Sequence, residues 1–358
     1  MPRWSVHIPH GDPGPWILQE VSPGMHNQKG QPVRPTMAAI AELAGVSKIT
    51  VSRALNGSTL VRPEVRERIA QVARDAGYRL NVAARNLRTR RSRTVAVVVE
   101  KLIDGDRPIA DPILLLLLGG LLEVLTPADH AMLVTTRDHF LDALGTAADG
   151  IIMIGQGSEG SRVGEVAAFG LPMVTWGAAG AGAPDVVGSD NRLGGRMAAE
   201  HLVALGRRRI LFLGDPAHPE VASRLDGVRD LLAASEAMLV AVNPCDFSRR
   251  SGAAAVEQEL ARGTAFDAVI AVSDYIAAGA CDTLIAGGIA IPAQVAVIGF
   301  DDIAVAANHR PPISSIRQDW HGAGRALAEA MLVRLGERTG PAAQQLPVEL
   351  IVRESTAG

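Results

Sequence analysis

From Thr94 onward, short apolar runs alternate with longer stretches of helical periodicity, and this alternation restricts the fold more than any other feature. Candidate strands cover residues 95–99, 132–134, 151–154, 173–175 and 186–188, and again 210–213, 239–242, 268–272, 295–299 and 313–316. Strand–helix alternation of this length implies a doubly wound α/β architecture built on parallel sheet. Ten strands are many for one sheet, so two similar subdomains are expected. Ligands in such folds bind at the carboxyl ends of the strands.

The segment ahead of this body has a different chemistry. Residues 34–93 hold 13 Lys/Arg against 4 Asp/Glu, whereas residues 94–358 hold 20 against 32, an asymmetry hidden by the net charge of −3. A basic head on an acidic body is the layout of a nucleic-acid-binding module carried by a folded core. Charge alone leaves a solvated basic linker equally open. The 47% apolar content excludes a mostly disordered chain. Cys245 and Cys281 fit no metal-ligand spacing and suit a reduced, cytoplasmic protein. The start of the chain shows no basic stretch followed by an apolar core, so no secretory signal is expected. The longest apolar run, Ile113 to Leu118, is too short to span a bilayer and reads as a buried helix; no membrane partner is expected. Residues 1–35 are rich in Pro and Gly, without periodicity, and read as a disordered extension or as the result of an upstream start codon that is not used in the cell.

Residues 36–78 read as three short helices. Thr36 can cap residues 37–44, with Ile40 and Leu43 on the apolar face. Gly45-Val46-Ser47 makes a tight turn, and Ser47 caps a second helix over 48–55 with Val51, Ala54 and Leu55 inward. Pro63 starts a third helix, whose Val65, Ile69, Val72 and Ala76 share one face, and Gly77 ends it. Two helices joined by a Gly-containing turn form a DNA-reading unit in which the first residues of the second helix meet base edges. Those residues are Lys48 and Ile49, with Arg53 one turn on. Lys48 and Arg53 can donate to guanine, Ile49 can touch a thymine methyl, and the hydroxyls of Ser47, Thr50 and Ser52 suit phosphates. An ordinary helical hairpin with surface charges is the plainer reading of the same spacing.

The run from Ala41-Glu42-Leu43-Ala44-Gly45-Val46-Ser47-Lys48 through Arg53-Ala54-Leu55-Asn56-Gly57 resembles the headpiece of the lactose-repressor (LacI/GalR) family. The resemblance continues through Arg62-Pro63-Glu64-Val65 and Ala76-Gly77-Tyr78, and then through Asn81-Val82-Ala83-Ala84-Arg85-Asn86-Leu87, which looks like that family's hinge helix. It adds Asn56 to the DNA-contacting set. It also implies that Leu87 wedges into the minor groove, with Ala84 against the groove floor one turn earlier. Arg62 departs from the pattern, because Ser usually caps the third helix there; a weaker cap is expected. The resemblance covers roughly residues 36–355, and it implies a headpiece over 36–80, a hinge helix and linker over 81–93, and a periplasmic-binding-protein-like core over 94–358. Crossovers between two core subdomains are expected near 205, 318 and 347.

Within that core, Asp111, Ser189-Asp190, Ser223-Arg224, Ser273-Asp274, Phe300-Asp301-Asp302 and Ile316-Arg317-Gln318-Asp319-Trp320 match family stretches around an effector cleft. Physically the set suits a polyol. Asp190, Asp274 and Asp301 each follow an expected strand, where a carboxylate can accept paired hydroxyls, while Arg224 donates and Gln318 does both. Trp176 and Trp320 can stack on the apolar face of a sugar ring. Each Asp can equally be a helix cap, and Trp176 can equally be core. The passage between residues 134 and 149 is shorter than the family's. The implied partners are a near-palindromic double-stranded DNA operator, a small-molecule effector, expected to be a sugar, and a second copy of the chain.

Two other readings compete. Gly155-Gln156-Gly157-Ser158-Glu159-Gly160 spells the dinucleotide fingerprint of an NAD-dependent oxidoreductase. The following strand, however, ends at Thr175-Trp176-Gly177 with no acidic residue for a ribose hydroxyl, so a Gly-rich turn is the better reading. A sugar-binding protein with no DNA role shares the core fold but has no use for a helix-turn-helix. No catalytic set and no metal cluster stand out, and no cofactor is expected.

Overall fold

A computed structural model describes residues 35–55, 58–78, 91–100, 112–144, 148–157, 161–179 and 185–357. The expectations for the N-terminal extension to residue 34, for Asn56, Ala84 and Leu87, and for Asp111 lie outside the described residues. The chain divides into two compact units, Met1–Arg88 and Thr89–Gly358.

In the first unit, α1 (Met37–Leu43), α2 (Lys48–Leu55) and α3 (Pro63–Asp75) enclose a small core of Ile40, Val51 and Ile69, all fully buried, with Ala41, Ala54 and Ala73 between them. Thr36 accepts a hydrogen bond from the Ala39 amide at 3.2 Å, closing the α1 N-terminus. Gly45 adopts φ +62°, the left-handed step that turns the chain between α1 and α2 and that L side chains resist. Pro63 opens α3, and Arg62 ahead of it makes no side-chain cap bond. Leu43 does not join the core as expected: it is 64% exposed. A two-turn helix shows only one narrow side to its neighbours, and Ile40, Ala41 and Ala44 occupy that side.

In the second unit the chain runs through β1 (Thr94–Val99), α4 (Pro112–Leu125), β2 (Ala131–Thr136), β3 (Gly150–Ile154), α5 (Ser161–Ala167), β4 (Met173–Trp176) and β5 (Val186–Ser189). It continues through α6 (Asn191–Ala204), β6 (Arg209–Leu213), α7 (Pro219–Leu232), β7 (Met238–Asn243), α8 (Arg249–Ala261), β8 (Ala268–Ala271) and α9 (Asp274–Ala286). It closes with β9 (Ala296–Asp301), α10 (Ala304–Asn308), β10 (Ser314–Gln318), α11 (Trp320–Arg334), β11 (Gln344–Leu346) and β12 (Val348–Ile351). Between β2 and β3 the described residues form a helical turn, Arg137–His139, running into the π-helical Phe140–Leu144.

The strands form two sheets of matching order, β2-β1-β3-β4-β5-β11 and β7-β6-β8-β9-β10-β12. The first is parallel throughout, and the second is parallel except where β12 runs against β10. The continuous apolar runs of β1, β3, β8 and β9 follow from this topology, because helices cover both faces. Three crossovers connect the sheets. β5 lies in the first sheet while α6 packs in the core of the second, so one crossover is at Asp190 rather than near 205. The other two are at Asp319, where β10 gives way to α11 on the first sheet, and at Pro347, between β11 and β12.

Three helix pairs cross at paired glycines. A Cβ on Gly195 of α6 would stand 1.9 Å from the Arg224 carbonyl of α7, and one on Gly227 of α7 would stand 1.9 Å from the Arg192 carbonyl of α6. Gly252 and Gly279 play these parts for α8 and α9, and Gly120 and Gly324 for α4 and α11. The apolar run at 113–118 is only half buried. Ile113, Leu117 and Leu121 face α11 and the first sheet, whereas Leu115, Leu116 and Leu122 face outward, because among the described residues α4 is packed on one side.

Candidate functional site

At the start of α2, Ser47 accepts a hydrogen bond from the Thr50 amide at 3.1 Å, and its hydroxyl pairs with that of Thr50 at 2.8 Å. The two hydroxyls therefore shape the helix N-terminus, where free amides favour an anion such as a phosphate. Lys48, Ile49 and Arg53 are exposed, and Thr50 and Ser52 are half-buried. Ile49 and Arg53 lie four residues apart on one helix face. An exposed Ile beside an exposed Arg and Lys is a poor solvent surface but suits a groove offering thymine methyls and guanine acceptors.

In the second unit the sequence-derived cleft residues converge from the crossovers and strand ends. Asp301 closes β9 at φ +105° and accepts a hydrogen bond from Gln318 Nε2 at 2.7 Å. Two residues past Gln318, Trp320 meets Trp176, which ends β4; their ring centroids are 5.4 Å apart and inclined by 56°. The Trp320 indole N–H is buried and has no acceptor among the described residues. Arg224 of α7 is buried against Phe300, its guanidinium carbon 3.6 Å from the ring centroid. It donates to Asn191 Oδ1 at 2.8 Å and to the Val272 carbonyl at 2.5 Å. The structure thus links Trp176, Trp320, Gln318, Asp301, Phe300, Arg224 and Asn191 in one continuous series of contacts and neighbours.

Three further groups expected at the cleft hold the local structure through their own hydrogen bonds. Asp190 accepts from the Leu193 amide at 2.9 Å and caps α6. Ser273 is fully buried and caps α9 through the Ile276 amide at 3.3 Å. Asp274 does not line an open mouth: it is fully buried, accepting from the Ile303 amide at 2.7 Å and from the Ser315 hydroxyl at 2.6 Å. Burial pushes its carboxyl well above the ordinary carboxylate range, and the neighbouring charge of Asp301 adds to the rise. A strand-end Asp here is a strut for the loop that carries Asp301.

Sequence reasoning missed Asn191 and Phe300, although both adjoin residues it named, and Ser315, which has no local signature. It also missed Glu100, one residue past β1. The buried Glu100 carboxylate lies 3.1 Å from both Arg137, one residue past β2, and Arg162 of α5. Burial raises its pKa against the pull of the two guanidiniums. Gly155-Gln156-Gly157 is a turn rather than a phosphate cradle. The Gln156 side chain is fully buried, accepting from the Ala178 amide at 2.8 Å and donating to the Ala178 carbonyl at 3.0 Å.

The sequence pattern described as "Bacterial regulatory proteins, lacI family" matches residues 36–81, and "Periplasmic binding protein-like domain" matches residues 199–356. The HTH-type transcriptional regulator CelR of Thermobifida fusca is 34% identical over 337 residues, covering 90% of this chain and 98% of the relative. The chain belongs to the lacI family of bacterial regulatory proteins. Among solved structures of this family, a CelR–cellobiose complex superposes with a TM-score of 0.66 at 32% identity, covering 90% of this chain and all of that one. A lac repressor dimer bound to operator and an anti-inducer superposes with a TM-score of 0.78 at 23% identity over 91% of this chain and all of that one, a likeness of fold. As a lacI-family member the chain is a helix-turn-helix transcriptional regulator, with α1 and α2 as its DNA-reading unit and the two-sheet unit as its binding core. No helix among the described residues is long and apolar enough to cross a membrane.

Proposed function

We propose that the protein represses transcription by binding a near-palindromic DNA operator as a homodimer, and that a sugar bound between the two sheets changes its grip. The protein works in the cytoplasm as a binding protein, without a catalytic step. The observation that carries the sugar reading is the Trp176–Trp320 pair, in which the buried Trp320 indole N–H has no acceptor among the described residues and lies two residues past Gln318, the donor to Asp301. Aromatic faces suit the apolar side of a sugar ring, and a buried N–H without an acceptor calls for a ligand oxygen. The CelR–cellobiose complex makes cellobiose the first sugar to try.

Lys48 and Arg53 read guanine, Ile49 a thymine methyl, and Ser47 and Thr50 set the helix end against a phosphate. One such head is too small for high specificity, so two act together. The exposed Leu115, Leu116 and Leu122 on the outer face of α4 support a second copy packing there. Asn56, Ala84, Leu87 and Asp111 keep the DNA-contacting and cleft roles that the family resemblance implies.

Selection of binding sequences from random DNA by the full chain tests the proposal. A near-palindromic consensus is expected, with a dimer on light scattering and an affinity that cellobiose or another sugar alters. Enrichment of no sequence over bulk DNA, or a monomer on the selected site, overturns it.

A further inference from the structure

We propose that Asp302 is the positioning residue of the effector site: by gripping Arg317 and Arg353 it holds the adjacent Asp301 in its binding orientation. The inference rests on Asp301 being an effector contact, as proposed above.

The backbone supplies the first observation. Asp301 and Asp302 adopt φ +105° and +54°, two consecutive non-glycine residues in a region that L side chains avoid. Such a pair persists only where its surroundings hold it. Here the Asp302 amide donates to the Ser315 hydroxyl at 3.0 Å, and the next amide, of Ile303, donates to Asp274 at 2.7 Å. The Ser315 hydroxyl in turn donates to Asp274, so both amides are tied to one buried strut.

The Asp302 side chain makes the second set of restraints. Its carboxylate is almost fully buried and lies 2.7 Å from Arg317 Nε and 2.6 Å from Arg353 Nη2. Arg317 stands on β10, in register with Asp301, and one residue before Gln318, the donor to Asp301. Arg353 is itself seated, donating to the Ile313 carbonyl at 2.8 Å and, through its amide, to Ser314 at 2.8 Å. Arg317 also reaches Glu349 of β12 at 3.1 Å. The grip therefore joins β10, the strand that leads into the Asp319 crossover, to the segment after β12, the strand that follows the Pro347 crossover. Without it, relaxation of the strained pair would carry the Asp301 carboxylate away from Gln318.

The competing account is that Asp stands at 302 only because it tolerates a left-handed backbone. Asp302→Gly and Asp302→Asn separate the two, since both accept that backbone and neither carries the charge. Arg317→Ala removes one arm of the grip from a half-exposed side chain and keeps the experiment alive if the Asp302 variants fold poorly. On the unliganded full chain, amide exchange at 302 and 303 is expected to quicken by about tenfold in the Asp302 variants, while the melting temperature stays near the parent's in Asp302→Gly. Cellobiose affinity, read by calorimetry, is expected to fall about tenfold in both Asp302 variants and about threefold in Arg317→Ala. Unchanged exchange at 302 and 303 overturns the proposal, as does parental cellobiose affinity in both Asp302 variants. A parent chain that ignores cellobiose counts against the choice of sugar; the exchange arm then decides the role of Asp302 on its own.

Discussion

Alanine at Gly195 and at Gly164 should act with opposite sign, although both glycines are helical. A Cβ at Gly164 in α5 meets nothing within 4 Å, so Gly164→Ala gains only the better helix propensity, roughly 0.5–1 kcal/mol. A Cβ at Gly195 would stand 1.9 Å from the Arg224 carbonyl oxygen, against 3.0–3.4 Å for the tightest ordinary contacts. The obstacle is backbone on both helices, so α6 and α7 must part by about an ångström rather than swing a side chain aside. Overpacking of this kind costs about 1–3 kcal/mol, and backbone against backbone belongs at the upper end. After the propensity gain, roughly 2 kcal/mol of destabilisation remains, or a melting point about 4–8 °C lower for a unit of this size. Parting the helices also shifts Arg224 off Phe300 and Asn191, so Gly195→Ala should blunt the sugar response as well as the stability. Circular dichroism melts of the parent and both variants, with sugar titration of each, test this. A Gly195→Ala chain that melts with the parent, or shifts in the same direction as Gly164→Ala, refutes the close-packed crossing.

Three further outcomes are expected. Arg53→Ala should cost about 1–3 kcal/mol on the selected operator and relax preference at one base pair per half-site in competition binding; equal weakening on all DNA would assign Arg53 to phosphate alone. Asp301→Asn, which keeps the left-handed backbone accessible, should abolish the sugar response in fluorescence titration and leave operator binding intact; a parental response would remove Asp301 from the cleft. Because burial raises the Asp274 carboxyl above its ordinary value of 3.8, its contribution to stability is full at low pH and is lost as pH climbs through the raised value. The urea midpoint of Asp274→Asn relative to the parent should therefore improve between about pH 5 and about pH 8, and a difference flat in pH would contradict the shift.

Local chemistry made much of this legible in advance. Thr36, Ser47 and Pro63 announce helix starts because capping needs only an oxygen or a fixed φ within a few residues. The strands β1, β3, β8 and β9 announce themselves because a strand covered on both faces must be apolar along most of its length. β11 and β12 do not, since Gln344–Leu346 and Val348–Ile351 are strands through pairing with β5 and β10 and not through composition. Leu43 and the leucines of α4 mislead for a related reason: hydrophobicity says that a residue wants cover, not which side of its helix receives it.

The amino-acid sequence by itself determined the two-part plan, a basic helix-turn-helix ahead of a duplicated α/β core, because periodicity, caps and charge act over a few residues. Through the family resemblance it also pointed to a wider effector group of Asp111, Trp176, Asp190, Arg224, Ser273, Asp274, Asp301, Gln318 and Trp320. Only the tertiary structure decided what each strand-end aspartate bonds to within the protein. Asp190 and Asp274 look like Asp301 in sequence, yet the first caps α6 and the second is enclosed as a strut by Ser315 and the Ile303 amide, groups 41 and 29 residues away from it. The pairing of Asp302 with Arg317 and Arg353 is equally a product of strand order, with β10 between β9 and β12 in the second sheet. Ion pairs and buried hydrogen bonds are set by distance in space, and residues that far apart in the chain are brought together by the pairing of β8, β9, β10 and β12 in the second sheet.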